Sequence, residues 1–261
     1  MIQLNPMEPY TFRLGNINCS THRISQLLKE VRLLLSDKSL QPRTLLCINA
    51  HIYNLASIDA DLRQIINSAH IVTADGMSIL WAFRLFGVKM TERTNMTEAF
   101  RAFLQAEDIP DNIGILIGLT EEEGRLAAKN IEKMSSHCRI LKTVSGFLNE
   151  ADYKQIFGSF ANVDFIFLGM GTPKTEKISQ MASVMCPQAI VWGIGGGTIE
   201  IFAGTMKEAP IFWRRNGLQW LYRLGHDLKL WRRYLIGNPF FIYRICKARL
   251  RMERAEGHPN I

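Results

Sequence analysis

The chain has 261 residues, 47% of them hydrophobic and 21% charged, a balance that excludes disorder and allows one large core or a core with an appendage. No apolar run approaches the roughly 18 residues that a membrane-spanning helix needs, and the amino terminus lacks a basic stretch followed by an apolar one, which argues against a secreted or membrane-spanning chain. The net charge is +7, and the five cysteines include no C-x-x-C pair, so reduced thiols and a cytoplasmic location are expected.

In chain order, residues 10–18 alternate as a strand, and Ser20-Thr21 is a candidate cap for a helix whose Ile24, Leu27, Leu28, Val31 and Leu34 keep helical spacing. Thr44 to Ile48 reads as a buried strand ending at Asn49-Ala50. One helix is expected through Leu55, Ile58, Leu62 and Ile65, and then a short strand from His70 to Thr73 that stops at Ala74-Asp75-Gly76. Met77 to Phe86 is apolar nearly all round and reads as a buried helix, and Asn95 or Thr97 can start another.

From Ile113 the alternation is clearest: strand Ile113 to Ile117, helix Glu121 to Met134, strand Arg139 to Val144, helix Glu150 to Phe157, strand Val163 to Leu168, helix Lys174 to Met185 and strand Ala189 to Trp192. Six or seven β-type runs separated by helices predict an α/β fold with a doubly wound, mainly parallel sheet. After Gly204 the strands stop, leaving helical pieces near Trp213 to Leu224, Leu228 to Ile236 and Pro239 to Arg254, so the domain boundary falls between residues 1–204 and 205–261. From Trp213 to Arg254 eleven Lys or Arg face two acids, a charge of +9 that leaves −2 for the remainder. Trp213, Trp220, Tyr222, Trp231, Tyr234, Phe240, Phe241 and Tyr243 lie among them, a basic and aromatic mixture suited to phosphates at an apolar boundary.

Two apolar strands end in close glycines before a helix, at Gly169-Met170-Gly171 and at Gly193-Ile194-Gly195-Gly196-Gly197, which is how a parallel sheet offers backbone N–H groups to an anion. Lys174 and Thr198 stand where a dinucleotide fingerprint needs its third glycine, so a phosphate or diphosphate is indicated and a dinucleotide is not. Asp75 follows a strand, where it is either a catalytic carboxylate or the cap of the next helix. Asn49 is at the neighbouring strand end as a crevice or turn residue, Arg93 is a candidate phosphate fork or a loop charge, and Lys174 sits at a helix start where a cation asks for an anion. Glu200 could accept from a ribose or base, or sit on a helix face. Asp59-Ala60-Asp61 has metal-holding spacing but lies within a helical pattern, and the six histidines never pair at ligand spacing, so no metal is expected. The tail contains no standard nucleic-acid module, which favours a membrane surface over nucleic acid as its partner, while its apolar faces could also pack on a second copy in a homo-oligomer.

Thr73-Ala74-Asp75-Gly76, Glu92-Arg93, Leu168 to Glu176, Gly193 to Gly197, Ala203-Gly204, Ala209-Pro210 and Gly217 to Leu224 occur in one order, and this series resembles the WecG/TagA/CpsF glycosyltransferases from about Asn49 to Pro239. The resemblance implies an inverting, metal-independent enzyme without a cofactor. It would move a hexose or N-acetylhexosamine from a UDP-sugar to a polyprenyl-diphosphate-linked sugar at the inner face of the cytoplasmic membrane, in cell-surface polysaccharide synthesis. By the same resemblance Asp75 is the catalytic base and Asn49 stands beside it. Cys47, Arg93, Gly169, Gly171, Lys174, Thr175, Glu176, Gly195, Gly196 and Glu200 fall in donor-binding blocks. Arg214, Arg215, Arg223, Arg232 and Arg233 belong to an appendage that meets acceptor and membrane. Residues 1–204 are then the catalytic domain. The chain departs from the family pattern at Cys47 (threonine), Thr175 (glutamine), Glu98 and Glu200 (aspartates), Glu208 (a basic residue) and Gln219 (glutamate), which leaves glucose, N-acetylmannosamine or its uronic acid open as donor sugar. The alternative is a nonenzymatic nucleotide-binding module that docks to membranes through its tail.

Overall fold

A computed structural model describes residues 10–90, 93–160, 162–226 and 230–256. Eight strands, β1 (Thr11–Leu14), β2 (Ile17–Ser20), β3 (Thr44–Ile48), β4 (Ile71–Ala74), β5 (Asn112–Gly118), β6 (Cys138–Val144), β7 (Phe165–Gly169) and β8 (Ile190–Gly193), form one sheet in the order β1-β2-β4-β3-β8-β7-β5-β6. Only the β1/β2 pair is antiparallel among them. The α/β, doubly wound and mainly parallel architecture expected from the sequence is what forms.

The strands are apolar on both faces because both are covered, and their period of two sorts the side chains. Leu45, Phe165, Phe167, Ile190 and Trp192 face one layer, made by α1 (Ile24–Ser36), α5 (Met96–Gln105), α6 (Glu121–Met134) and α9 (Gly196–Ala203). Leu46, Ile48, Val72 and Ala74 face α2 (Ala50–Ile58), α3 (Ala60–Asn67) and α4 (Met77–Leu85), while Ile166, Leu168 and Val191 face α7 (Glu150–Ser159) and α8 (Lys174–Met185). β3 and β8 are neighbours, yet β3 leads into α2 on one face and β8 into α9 on the other. Chain leaving two adjacent strands in opposite directions opens a crevice at their carboxyl ends.

Local chemistry corrects several expectations. Residues 10–18 are not one strand but most of the β1/β2 hairpin, turning at Gly15 with φ +62°. Ser20-Thr21 does not cap α1: Ser20 ends β2, its hydroxyl is bonded to the His22 ring, and Gln26 Oε1 accepts the Arg23 N–H at 2.8 Å instead. The single helix expected through Leu55, Ile58, Leu62 and Ile65 breaks at Asp59, whose carboxylate accepts the Leu62 N–H at 2.9 Å and so starts α3. Asp59 is therefore a cap in the Asp59-Ala60-Asp61 triplet. α4 is less buried than its composition suggests, with Trp81 42% exposed.

Beyond Gly204 lie α10 (Ile211–Arg215), α11 (Gln219–His226), a π-helical turn at Arg232–Ile236 and α12 (Gly237–Glu256). The last helix runs on from that turn through Pro239, and the Leu228 start expected for the middle piece lies outside the described residues. α12 packs on α2: Phe241 and Ile245 are fully buried, with the Phe241 ring edge-on to Tyr53 at 5.3 Å. No helix among the described residues is long and apolar enough to cross a membrane.

Candidate active site

The crevice between β3 and β8 is a cleft of about 690 Å³, with strand ends as its floor and α11, the π-helical turn and the start of α12 as its roof. Asp75 follows β4 on the floor. It is not the cap of α4, since Gly76, at φ +96°, occupies that place. Its carboxylate instead accepts from the Met96 N–H at the start of α5 and from Asn95 Nδ2 at 3.4 Å. Burial pushes the carboxyl above the usual aspartate range, while Arg223, Arg93 and Arg233, with the Met96 N–H, draw it back. A desolvated carboxylate facing three guanidinium groups has the surroundings of a general base.

Asn49, one strand over, is the crevice residue of the two readings weighed for it, and locally a helix cap instead of a turn residue. Its Oδ1 caps α2 by accepting the Ile52 N–H at 3.0 Å, and the residue also lines the cleft. Cys47 lines the floor too; burial raises its thiol well above the usual value, and Asp75 and Glu176 raise it further, so the sulfur is a neutral group. Across the floor, α9 opens on Gly196 after Gly195 at φ +82°, and the first-turn N–H groups of a helix have no partner within it. Arg223 closes over this loop, its Nη2 3.1 Å from where a Cβ on Gly197 would lie.

Gly171, Thr172, Thr175 and Glu176 complete that side. Thr175 Oγ1 accepts the Met170 N–H at 3.0 Å, and Thr172 donates to Glu176 Oε1 at 2.9 Å. Glu176 is buried, its Oε2 has no partner, and burial raises its carboxyl. Three arginines and the first-turn N–H groups of α9 give the cleft the chemistry of an anion site.

The model of the glycosyl transferase WecG/TagA/CpsF family matches residues 12–255. The chain belongs to this family. Among its relatives are proteins of Staphylococcus aureus strains MRSA252 and MW2, each named N-acetylglucosaminyldiphosphoundecaprenol N-acetyl-beta-D-mannosaminyltransferase. Each is 25% identical over 236 residues, covering 88% of this chain and 90% of the relative. The chain is thus a glycosyltransferase of the WecG/TagA/CpsF type, and the nonenzymatic alternative falls away.

Within this family frame the fold gathers Asp75, Asn49, Cys47, Arg93, Gly171, Thr175, Glu176, Gly195, Gly196, Arg223 and Arg233 around one cleft. Five other candidates stand elsewhere. Lys174 turns away from the cleft to donate to the Leu148 carbonyl at 2.8 Å and to lie over the Tyr153 ring at 5.2 Å. Gly169 is a packing position: a Cβ there would sit 2.5 Å from Ile199 Cδ1 and 2.9 Å from the Gly195 carbonyl carbon. Glu200, on α9, is not among the lining residues. Arg214 is engaged by Glu98 at 3.3 Å and Glu208 at 3.0 Å, and Arg232 lies over the Trp231 ring at 5.4 Å on the outer surface. The side chain of Arg215 lies outside the described residues.

Sequence reasoning passed over His51 and Trp81, named Gln219 only as a departure from the family pattern and Trp220 and Tyr234 only as tail aromatics, and treated Asn95 only as a helix start; all six line the cleft. Asn95 does cap α5, its Oδ1 accepting the Glu98 N–H at 3.1 Å, while the other end of the same amide holds Asp75. The placement of Lys174 yields a prediction. Lys174→Ala should lower stability by about 1–2 kcal/mol through the lost carbonyl and ring contacts. Thermal melting measures this, and an unchanged melting temperature would show that these contacts contribute nothing to the fold.

Proposed function

We propose that this enzyme transfers a hexose or N-acetylhexosamine from a UDP-sugar to a sugar carried on a polyprenyl diphosphate, with inversion and without a metal, at the cytoplasmic membrane surface. The observation that carries the reading is the cleft itself, in which the desolvated carboxylate of Asp75 faces Arg93, Arg223 and Arg233. The acceptor hydroxyl would attack the anomeric carbon as Asp75 takes its proton. The bond from that carbon to the diphosphate oxygen breaks on the opposite face, and UDP departs with the electron pair. A single displacement inverts the anomeric centre. Charge growing on the departing diphosphate is met by the guanidinium groups and the N–H groups of Gly196 and Gly197 at the start of α9.

The relatives' names, which pair an N-acetylmannosaminyl donor group with a diphosphoundecaprenol acceptor, support the lipid-linked half of the reading. The surface supports it as well. Phe212, Leu235, Phe240, Tyr243 and Leu250 are each more than half exposed on the appendage, and Lys247 lies over Tyr243 and Arg244 over Phe240. Apolar side chains beside cations suit a headgroup boundary with anionic lipid.

The test is thermal melting with UDP, NAD or S-adenosylmethionine, each in excess EDTA. UDP at about 100 times its dissociation constant should add about 2.7 kcal/mol of stability, a rise of about 5–10 °C for a chain of this size. A shift with another of the three, or none with UDP, overturns the donor assignment.

A further inference from the structure

Among the described residues Arg93 is the one cleft-lining arginine from the α/β core, yet the groups that hold two of its nitrogens belong to the appendage. Its Nη1 donates to Gln219 Oε1 at 3.4 Å and its Nη2 to the Arg214 carbonyl oxygen at 3.2 Å. From the core, Glu98 Oε1 stands farther off, at 3.8 Å from Nη2. A guanidinium is a rigid planar fork, so acceptors on two different nitrogens fix its plane, whereas one distant carboxylate fixes only its neighbourhood. Gln219 is 9% exposed, lines the cleft and opens α11.

The same seam is laced from end to end. Arg101 meets both oxygens of Glu208 at 3.2 and 3.0 Å, Glu208 meets Arg214 at 3.0 Å, and Arg214 meets Glu98 at 3.3 Å. These pairs join α5 to α10 and hold the Arg214 carbonyl where Arg93 reaches it. Arg214 is balanced by two carboxylates and serves the seam. Arg93 is held chiefly by two neutral oxygens and keeps its charge for the cleft.

We infer that Gln219 is a positioning residue for Arg93, so that docking of the appendage on α5 assembles the core-borne cation that receives the diphosphate. The inference rests on the reading that the cleft binds a UDP-sugar, and its test separates the two. Gln219→Met, which keeps the length of the side chain and removes its acceptor, is compared with Arg93→Ala and with the double variant, in transfer from a UDP-sugar and in thermal melting. The single Gln219→Met change should lower kcat about tenfold with a smaller rise in KM, because the held guanidinium acts on charge that grows in the transition state. In the Arg93→Ala background the same change should cost less than about twofold. Losses that multiply in the double variant would show that Gln219 supports the appendage independently of Arg93 and would overturn the inference. If the unaltered enzyme transfers sugar from no UDP donor, the donor reading fails instead, and the melting temperatures of the same four proteins decide the contact: non-additive changes support it and additive ones overturn it.

Discussion

Asp75→Asn is expected to lower turnover by about 10²- to 10⁴-fold while leaving the fold and UDP binding intact. The amide keeps the shape of the carboxyl and can still accept from the Met96 N–H, so the floor of the cleft loses no packing. Burial already disfavours the charged form of Asp75, so a neutral replacement should be as stable as the parent or slightly more so, the usual trade at a catalytic centre. UDP should bind equally or more tightly, since a negative charge leaves the neighbourhood of a diphosphate. The pH dependence carries a sign. A general base works ionised, so kcat/KM should climb with pH through the Asp75 ionisation, at a midpoint that burial displaces above the usual aspartate range. Pre-steady-state and steady-state transfer across pH measure this. Near-normal turnover in the variant, or an unchanged acid limb, would remove Asp75 from the role.

The parts of the site that were legible in sequence are those carried by strand ends. A buried strand terminates in a visible polar or glycine residue, and a parallel sheet sends all such ends to one edge, so Asn49, Asp75, Gly171 and Gly195 had to meet. What sequence does not encode is which side of a turn faces that edge. Lys174 and Thr175 are adjacent in the first turn of α8, and only Thr175 lines the cleft. Among the tail arginines the deciding partners are partly remote: Arg214 is drawn off by Glu208 nearby and by Glu98, 116 residues away, while Arg223 and Arg233 are left to the cleft. The break between α2 and α3 was hidden because Leu55, Ile58, Leu62 and Ile65 keep an apolar stripe in phase across Asp59, and a cap does not disturb that phase. Helices α6 and α8 were legible to the residue, α6 because a Thr120–Glu123 capping box opens it and α8 because glycine and proline punctuate its start.

Phe241→Ala should destabilise the protein by about 3–5 kcal/mol, lowering its melting temperature by about 10 °C, whereas Phe240→Ala should shift it by no more than about 2 °C. The two residues are neighbours on α12 and about 100° apart around it. Phe241 is 1% exposed, packed with Tyr53 of α2 in the cluster that also takes side chains of β1, β2 and β4, while Phe240 is 55% exposed with the Arg244 guanidinium over its ring. One face of α12 therefore belongs to the core and the other to whatever the appendage touches. If that is an anionic membrane, Phe240→Ala should weaken cosedimentation with phosphatidylglycerol vesicles several-fold in a fully folded protein. Retained vesicle binding would dissociate Phe240 from the membrane, and a stable Phe241→Ala protein would show that α12 is only loosely applied to the core. The same geometry changes what deletion of residues 205–261 would report. Removing them strips Phe241 and Ile245 from a shared core as well as the exposed face, so lost membrane association would be confounded with lost stability. A single exposed side chain separates the two effects where a truncation does not.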